Sequence, residues 1–232
     1  MKVIVRGILF DMDGVLVSSL GSVERSWTIW ANKHGMDIAE AIQTAHGRRA
    51  IETIRLLRPD LNDREELDVI EQIEIDDKED IEVLGGVQQL LELLPQKYWT
   101  IVTSATERLA RARLGYAGVR VPERIITADM VENGKPHPEP YLRGAQLLGL
   151  NPEDCLVIED SASGAKAGHA AGCKVLATLF SHSLESLTAA DWIVHSLEDV
   201  RFTLVNDSIE LEFTPVPRDQ AVQAVVEHAT KA

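Results

Sequence analysis

The chain has 232 residues, enough for one substantial core or for a core with a small accessory domain. Hydrophobic residues at 45% and charged residues at 26% argue against a disordered chain. A formal net charge of −14 argues against the basic face that nucleic acid or an anionic membrane requires, while leaving a small anionic substrate open.

In chain order, the first apolar run, VIVRGILF at 3–10, predicts a strand. Arg6 and the Asp11/Asp13 pair interrupt it too early for a signal or membrane-spanning segment. Residues 18–83 hold no strand pattern. They carry helical stretches in SVERSWTIWANKHG, AIETIRLLRPD and DREELDVIEQIEIDDKEDIE. Within them Trp27 and Trp30, three apart, read as helix packing, and acidic runs such as Glu65-Glu66 and Asp76-Asp77 as solvated helix faces. After Gly85-Gly86 a strand–helix rhythm returns, with strands expected at 99–104, 124–128, 155–159, 174–180 and 192–195. Helices are expected in VQQLLELL, PEPYLRGAQLLG and SGAKAGHAAG. The runs are continuous rather than alternating, as in parallel strands covered on both faces. FTLVNDSIELEF reads as two strands joined at Asn206-Asp207, and DQAVQAVVEHATKA at 219–232 as a terminal helix. Cys155 and Cys173 have neither zinc-ligand nor disulfide spacing and read as buried free thiols, which points to a cytoplasmic setting.

The expected fold is therefore α/β: a Rossmann-like parallel sheet core at 1–17 and 84–232, an inserted α-helical cap at 18–83, and a C-terminal β-hairpin extension. In such sheets ligands bind beyond the carboxyl ends of the strands. Those ends carry Asp11-Met12-Asp13-Gly14, then Thr103-Ser104-Ala105 and Glu159-Asp160-Ser161, and a further loop carries Gly134-Lys135-Pro136. Carboxylates, a hydroxyl and a lysine brought to one sheet edge suit phosphoryl transfer. One carboxylate can attack phosphorus, a second acid can protonate the leaving oxygen, and a hard cation with a lysine can neutralise the phosphoryl oxygens.

In that order, F-D-M-D-G-V, the hydroxyl after the second expected strand, G-K-P and I-E-D-S resemble the four motifs of the haloacid dehalogenase-like hydrolases. The helical insert resembles that superfamily's first-type cap. AHGRRAIETI, ITADMVENGKPHPEPYL and IEDSASGAKAGHAAGCKV are most similar to the glycerol-3-phosphate and 2-deoxyglucose-6-phosphate phosphatases. The resemblance implies that Asp11 is the nucleophile and Asp13 the general acid/base. It implies Mg²⁺ held by the Asp11 carboxylate, the Asp13 carbonyl and Asp160, with Glu159 binding directly or through water. It also implies that Ser104, with Ala105 and Lys135, holds the phosphoryl group; Thr103 is the alternative hydroxyl.

In the cap, Arg48 and Arg49 are candidates for clamping a substrate hydroxyl or phosphate, and Glu52 for contacting a polyol or pairing with Arg48. Their alternative is to be surface charges. The expected activity is Mg²⁺-dependent hydrolysis of small polyol or sugar phosphates. The rival within the family is a phosphosugar mutase similar to β-phosphoglucomutase. A non-catalytic phosphoryl-binding protein is disfavoured, since every motif residue is present. The expected partner is a small phosphorylated metabolite, with no nucleic acid and no membrane. The expected oligomeric state is a monomer, with a weak dimer as the alternative.

Overall fold

The computed structural model describes residues 1–218, so the helix expected at 219–232 lies outside the described residues. Its centre is a five-stranded parallel sheet of β2 (Gly7–Phe10), β5 (Trp99–Ile101), β6 (Cys155–Glu159), β7 (Lys174–Thr178) and β8 (Trp192–Val194), in the order β5-β2-β6-β7-β8. These strands read as unbroken apolar runs because helices cover both faces. On one face Ile8, Phe10, Ile101 and Ile158 pack with α5 (Val87–Leu93) and α6 (Glu107–Tyr116). On the other Leu9, Val157 and Val175 pack with α7 (Glu139–Leu148) and α8 (Ala162–Ala170). Residues one apart on β2 thus belong to two separate cores.

The run at 3–10 is not one strand. It divides at Arg6, whose N–H donates to the Asp154 carbonyl, and its first half is a separate strand, β1 (Lys2–Val5). That strand alternates exposed and buried residues and pairs antiparallel with β10 (Ser208–Glu212) of the C-terminal hairpin. β9 (Arg201–Val205) completes this second sheet, with Asn206 at positive φ in the turn. Val3, Val5, Ile209 and Leu211 join the core on the α5/α6 side. The strand expected at 124–128 is reduced to a single bridge between Val102 and Ile126, because the chain turns at Ala128–Met130.

Two short strands that the sequence did not announce, β3 (Val17–Ser18) and β4 (Glu82–Val83), pair antiparallel where the chain leaves the core and returns. Between them lie α1 (Leu20–Lys33), α2 (Ile38–Ala45), α3 (Ala50–Leu57) and α4 (Asp63–Asp76). These helices share a small core of their own around Trp27, Trp30, Ile54 and Ile70. The two tryptophans meet edge to face at 5.3 Å, and the Trp30 indole N–H donates to Glu66, so both rings pack as expected. Among the described residues no helix is long and apolar enough to cross a membrane.

Candidate active site

β2 ends at Phe10, and the next residue, Asp11, is held by its backbone N–H donating to the Ile158 carbonyl on neighbouring β6. The chain then turns at Gly14, whose φ is +81°. A Cβ there would lie 1.9 Å from Asp160 Oδ2, so no side chain fits between the two acidic segments. Glu159 closes β6, and Ser161 caps α8 by accepting the Gly164 N–H at 3.0 Å. Capping and the acidic pair therefore coexist in one turn.

Lys135 is buried at the centre. Its ammonium donates to Asp11 Oδ1 at 2.6 Å, to Glu159 Oε1 at 2.7 Å and to the Val102 carbonyl at 3.2 Å. Glu159 is saturated by protein donors. Its Oε1 also accepts from the Tyr141 hydroxyl at 2.7 Å, and its Oε2 accepts from the Asp160 and Ser161 N–H groups and the Ser161 hydroxyl. Tyr141 was not singled out from the sequence. The available signal was a tyrosine in the predicted core face of α7, since a buried phenol needs a partner.

The charges do not balance. Asp11, Glu159 and Asp160 have oxygen atoms all within 4.8 Å of one another, three carboxylates against one ammonium. Burial opposes the charge on Lys135, but Asp11 and Glu159 outweigh it and raise its pKa. Burial likewise opposes ionisation of Glu159, yet Lys135 holds it below its usual value. The unrelieved charge falls on the other two. Burial pushes Asp11 up to about 7 against the pull of Lys135, and burial with repulsion from Glu159 and Asp11 holds Asp160 well above the carboxylate range.

This donor set fits a hard divalent cation, which takes oxygen ligands and would neutralise the two surplus charges. Among the described residues, Asp11 Oδ2, Asp160 Oδ1 and the Asp13 carbonyl accept no hydrogen bond. They are the oxygens free to bind it. Glu159, whose oxygens are engaged by five donors, is placed to orient Lys135 and the start of α8 rather than to face a cation directly.

Asp13 Oδ1 accepts from the Ser19 hydroxyl at 2.6 Å and from Arg113 Nη1 at 2.8 Å, on α6. Neither partner was foreseen. Arg113 lies four residues after Leu109 on the apolar face of α6, a position whose charge is itself the signal. Of the two adjacent hydroxyls, Thr103 accepts the Ala105 N–H at 3.1 Å, whereas Ser104 has no hydrogen-bond partner among the described residues. The Ala105 amide, expected on a phosphoryl oxygen, thus donates to Thr103 in this structure.

Asp11, Asp13, Ser104, Lys135 and Asp160 open onto a cavity of about 430 Å³ roofed by the helical insert. Arg48 lines it, exposed and without an ion pair among the described residues. Arg49 and Glu52 are placed otherwise than expected. The Arg49 guanidinium is buried and donates to the Ala128, Val131 and Glu132 carbonyls and to Glu52, which also accepts the Gly134 N–H. All five of its N–H groups are engaged, so Arg49 ties the insert to the 128–134 loop while its side chain also borders the cavity.

Comparison with known proteins agrees with this arrangement. The chain is 41% identical over 203 residues to hexitol phosphatase A of Escherichia coli, covering 85% of this chain and 94% of that one. It is 36% identical over 225 residues to glycerol-1-phosphate phosphohydrolase 2 of Saccharomyces cerevisiae, with 90% of each covered. A solved β-phosphoglucomutase from Clostridium difficile shares the fold at 23% identity with a TM-score of 0.69, over 83% of this chain and 92% of that one. Residues 5–172 match the family model of the haloacid dehalogenase-like hydrolases, and with these relatives across most of its length the chain belongs to that family.

Proposed function

We propose that the chain is a Mg²⁺-dependent phosphatase of small polyol or sugar phosphates that works through an aspartyl-phosphate on Asp11. The observation that carries this reading is Asp11 itself, a buried carboxylate held at 2.6 Å by Lys135 beside Asp160, with one oxygen free. The names of the relatives point the same way: hexitol phosphatase and glycerol-1-phosphate phosphohydrolase both denote hydrolysis of a small phosphate ester.

In this mechanism Lys135, Ser104 and the Ala105 amide bind the phosphoryl oxygens, the amide turning from Thr103 to do so. Asp11 attacks phosphorus in line. The bond from phosphorus to the ester oxygen breaks, and Asp13 gives that oxygen its proton. Asp13, now ionised, takes a proton from water, which attacks the aspartyl-phosphate and releases phosphate. Asp11, Asp160 and the Asp13 carbonyl would hold Mg²⁺, which would supply charge neutralisation at the transferring group. Residues 18–83 act as a cap on a core of 1–17 and 84–232, shielding the reaction from bulk water. Arg48 contacts the organic part of the substrate.

The test is inorganic phosphate release from a panel of polyol and sugar phosphates, with Mg²⁺ and with chelator, alongside Asp11→Asn. Release concentrated on a few small substrates, dependent on Mg²⁺ and absent in Asp11→Asn with the fold retained, is the expected result. Isomerised hexose phosphate without phosphate release would replace hydrolysis by mutase activity. Substantial turnover by Asp11→Asn would overturn the mechanism.

A further inference from the structure

Arg113 is a buried guanidinium in the last turn of α6, a helix whose other buried residues are apolar or small: Leu109, Ala110 and Leu114. A cation in such a place is unfavourable unless it meets an anion. Arg113 meets two, and they come from different parts of the molecule. Its Nη1 donates to Asp13 Oδ1 at 2.8 Å, a charge-assisted hydrogen bond. Its Nη2 lies 3.4 Å from Glu74 Oε1 on α4 of the helical insert, without hydrogen-bond geometry. The firm connection is therefore to Asp13, and the looser one to the insert.

The consequence for Asp13 is geometric. Arg113 and Ser19 both take Oδ1, which fixes the rotation of the carboxyl group, while Oδ2 accepts no hydrogen bond among the described residues. Asp13 lines the cavity, so the unclaimed oxygen is the one available to a ligand there. Ser19 alone approaches that oxygen from one side; with Arg113 the same oxygen is held by donors from two directions.

We propose that Arg113 is a positioning residue for the proton transfer by Asp13. It presents one carboxyl oxygen to the leaving group by anchoring the other. The inference rests on the reading of Asp13 as acid/base given above, and it extends that reading to a residue outside the motifs. Because Glu74 contacts the far side of the guanidinium, it also ties the acid/base to the position of the cap.

A residue that acts through the leaving-group acid has a signature that a merely structural residue lacks. Protonation of the leaving oxygen is essential for an alkyl phosphate and nearly dispensable for p-nitrophenyl phosphate, whose leaving group is already stable as an anion. The ratio kcat/KM reports the steps up to departure of that group and is blind to the later hydrolysis of the aspartyl-phosphate. The experiment measures kcat/KM for glycerol phosphate or hexitol phosphate, whichever the wild type hydrolyses, and for p-nitrophenyl phosphate. It does so in the wild type, Asp13→Asn, Arg113→Met, Arg113→Lys and Glu74→Gln, with melting temperatures of the metal-free proteins.

Arg113→Met is expected to lose about tenfold to a hundredfold on the alkyl ester and no more than about threefold on the aryl ester, following the pattern of Asp13→Asn at reduced size. Arg113→Lys, which keeps a charge near Asp13, recovers part of the loss. If Arg113→Met does not fold, Glu74→Gln carries the test, with a smaller loss confined to the alkyl ester. Equal losses on both esters overturn the inference, and so does a gain on the alkyl ester, which would make Arg113 a restraint. If Asp13→Asn itself shows no preference between the esters, the acid/base reading fails first, and the role of Arg113 falls with it.

Discussion

At Gly14 two requirements fall on one residue. The backbone has φ of +81°, and the space where a Cβ would sit is taken by Asp160. Alanine there forces a strained backbone, at about 1–3 kcal/mol, and pushes an acidic side chain whose Oδ1 faces the cation site. Gly35, at the end of α1, supplies the control: its φ is +65°, but nothing lies within 4 Å of its missing Cβ. Both Gly14→Ala and Gly35→Ala are expected to lose stability, Gly35→Ala by about 1–2 kcal/mol. Only Gly14→Ala should also lose Mg²⁺ affinity, by about 10–100-fold. Calorimetric titration of Mg²⁺ into both variants separates the effects, and equal affinities would mean that Asp160 adjusts freely. The sequence points to Gly14 as a sharp turn beside the site, because the glycine follows the acidic pair directly. It is silent on Asp160 as the neighbour, since the two are 146 positions apart and only the parallel pairing of β2 with β6 brings them together. Arg113 and Tyr141 each carry a local signal, a charge or a phenol on a buried helix face, but not the identity of the acid each one meets, which lies 100 and 18 positions away. Ser19, six residues after Asp13, carries no signal that sets it apart from an ordinary helix cap.

Among the elements, α3 shows what spacing alone could not decide. Arg48 and Arg49 are adjacent and both border the cavity, but the sequence does not say which is free and which is committed to protein partners. The structure buries Arg49 against three carbonyls of the 128–132 loop and leaves Arg48 exposed at the cavity wall. The substitutions should therefore diverge. Arg49→Met removes a buried, fully hydrogen-bonded cation and leaves Glu52 with only the Gly134 N–H, at a cost of about 3 kcal/mol. Arg48→Met should change stability by less than about 0.5 kcal/mol, yet raise KM for the substrate. Urea unfolding and steady-state kinetics on the pair check both halves, and an unchanged KM in Arg48→Met would remove Arg48 from the substrate site. The same local limits explain the errors in the strands. Continuous apolar runs identified β6 and β7 well, because burial on both faces leaves its mark on every residue. The division at Arg6 depends on pairing with a hairpin some 200 residues away, and β3 and β4 are too short to carry any period.

Across the whole molecule, the net charge of −14 and the uncompensated site combine into a dependence on pH and metal. In the metal-free protein Asp11 holds its proton up to about 7, against 3.8 for the ordinary group, and Asp160 is shifted in the same direction. Between those pH values the folded state binds more protons than the unfolded chain, so stability falls as pH rises through this window. The fall ends above the folded-state value, where both states are ionised. Mg²⁺ must find these carboxylates deprotonated, so it has to displace more protons at pH 5 than at pH 8. Binding only to the folded form, it raises the melting temperature according to its affinity. The shift in melting temperature between Mg²⁺ and chelator should accordingly be small at pH 5 and increase up to about pH 8. In Asp160→Asn, which lacks one of the raised carboxylates and one ligand, the shift should be reduced at every pH. Melting curves at four pH values with a fixed Mg²⁺ concentration test this. A metal-induced shift that is the same at pH 5 and pH 8 would mean that the cation does not bind at Asp11 and Asp160.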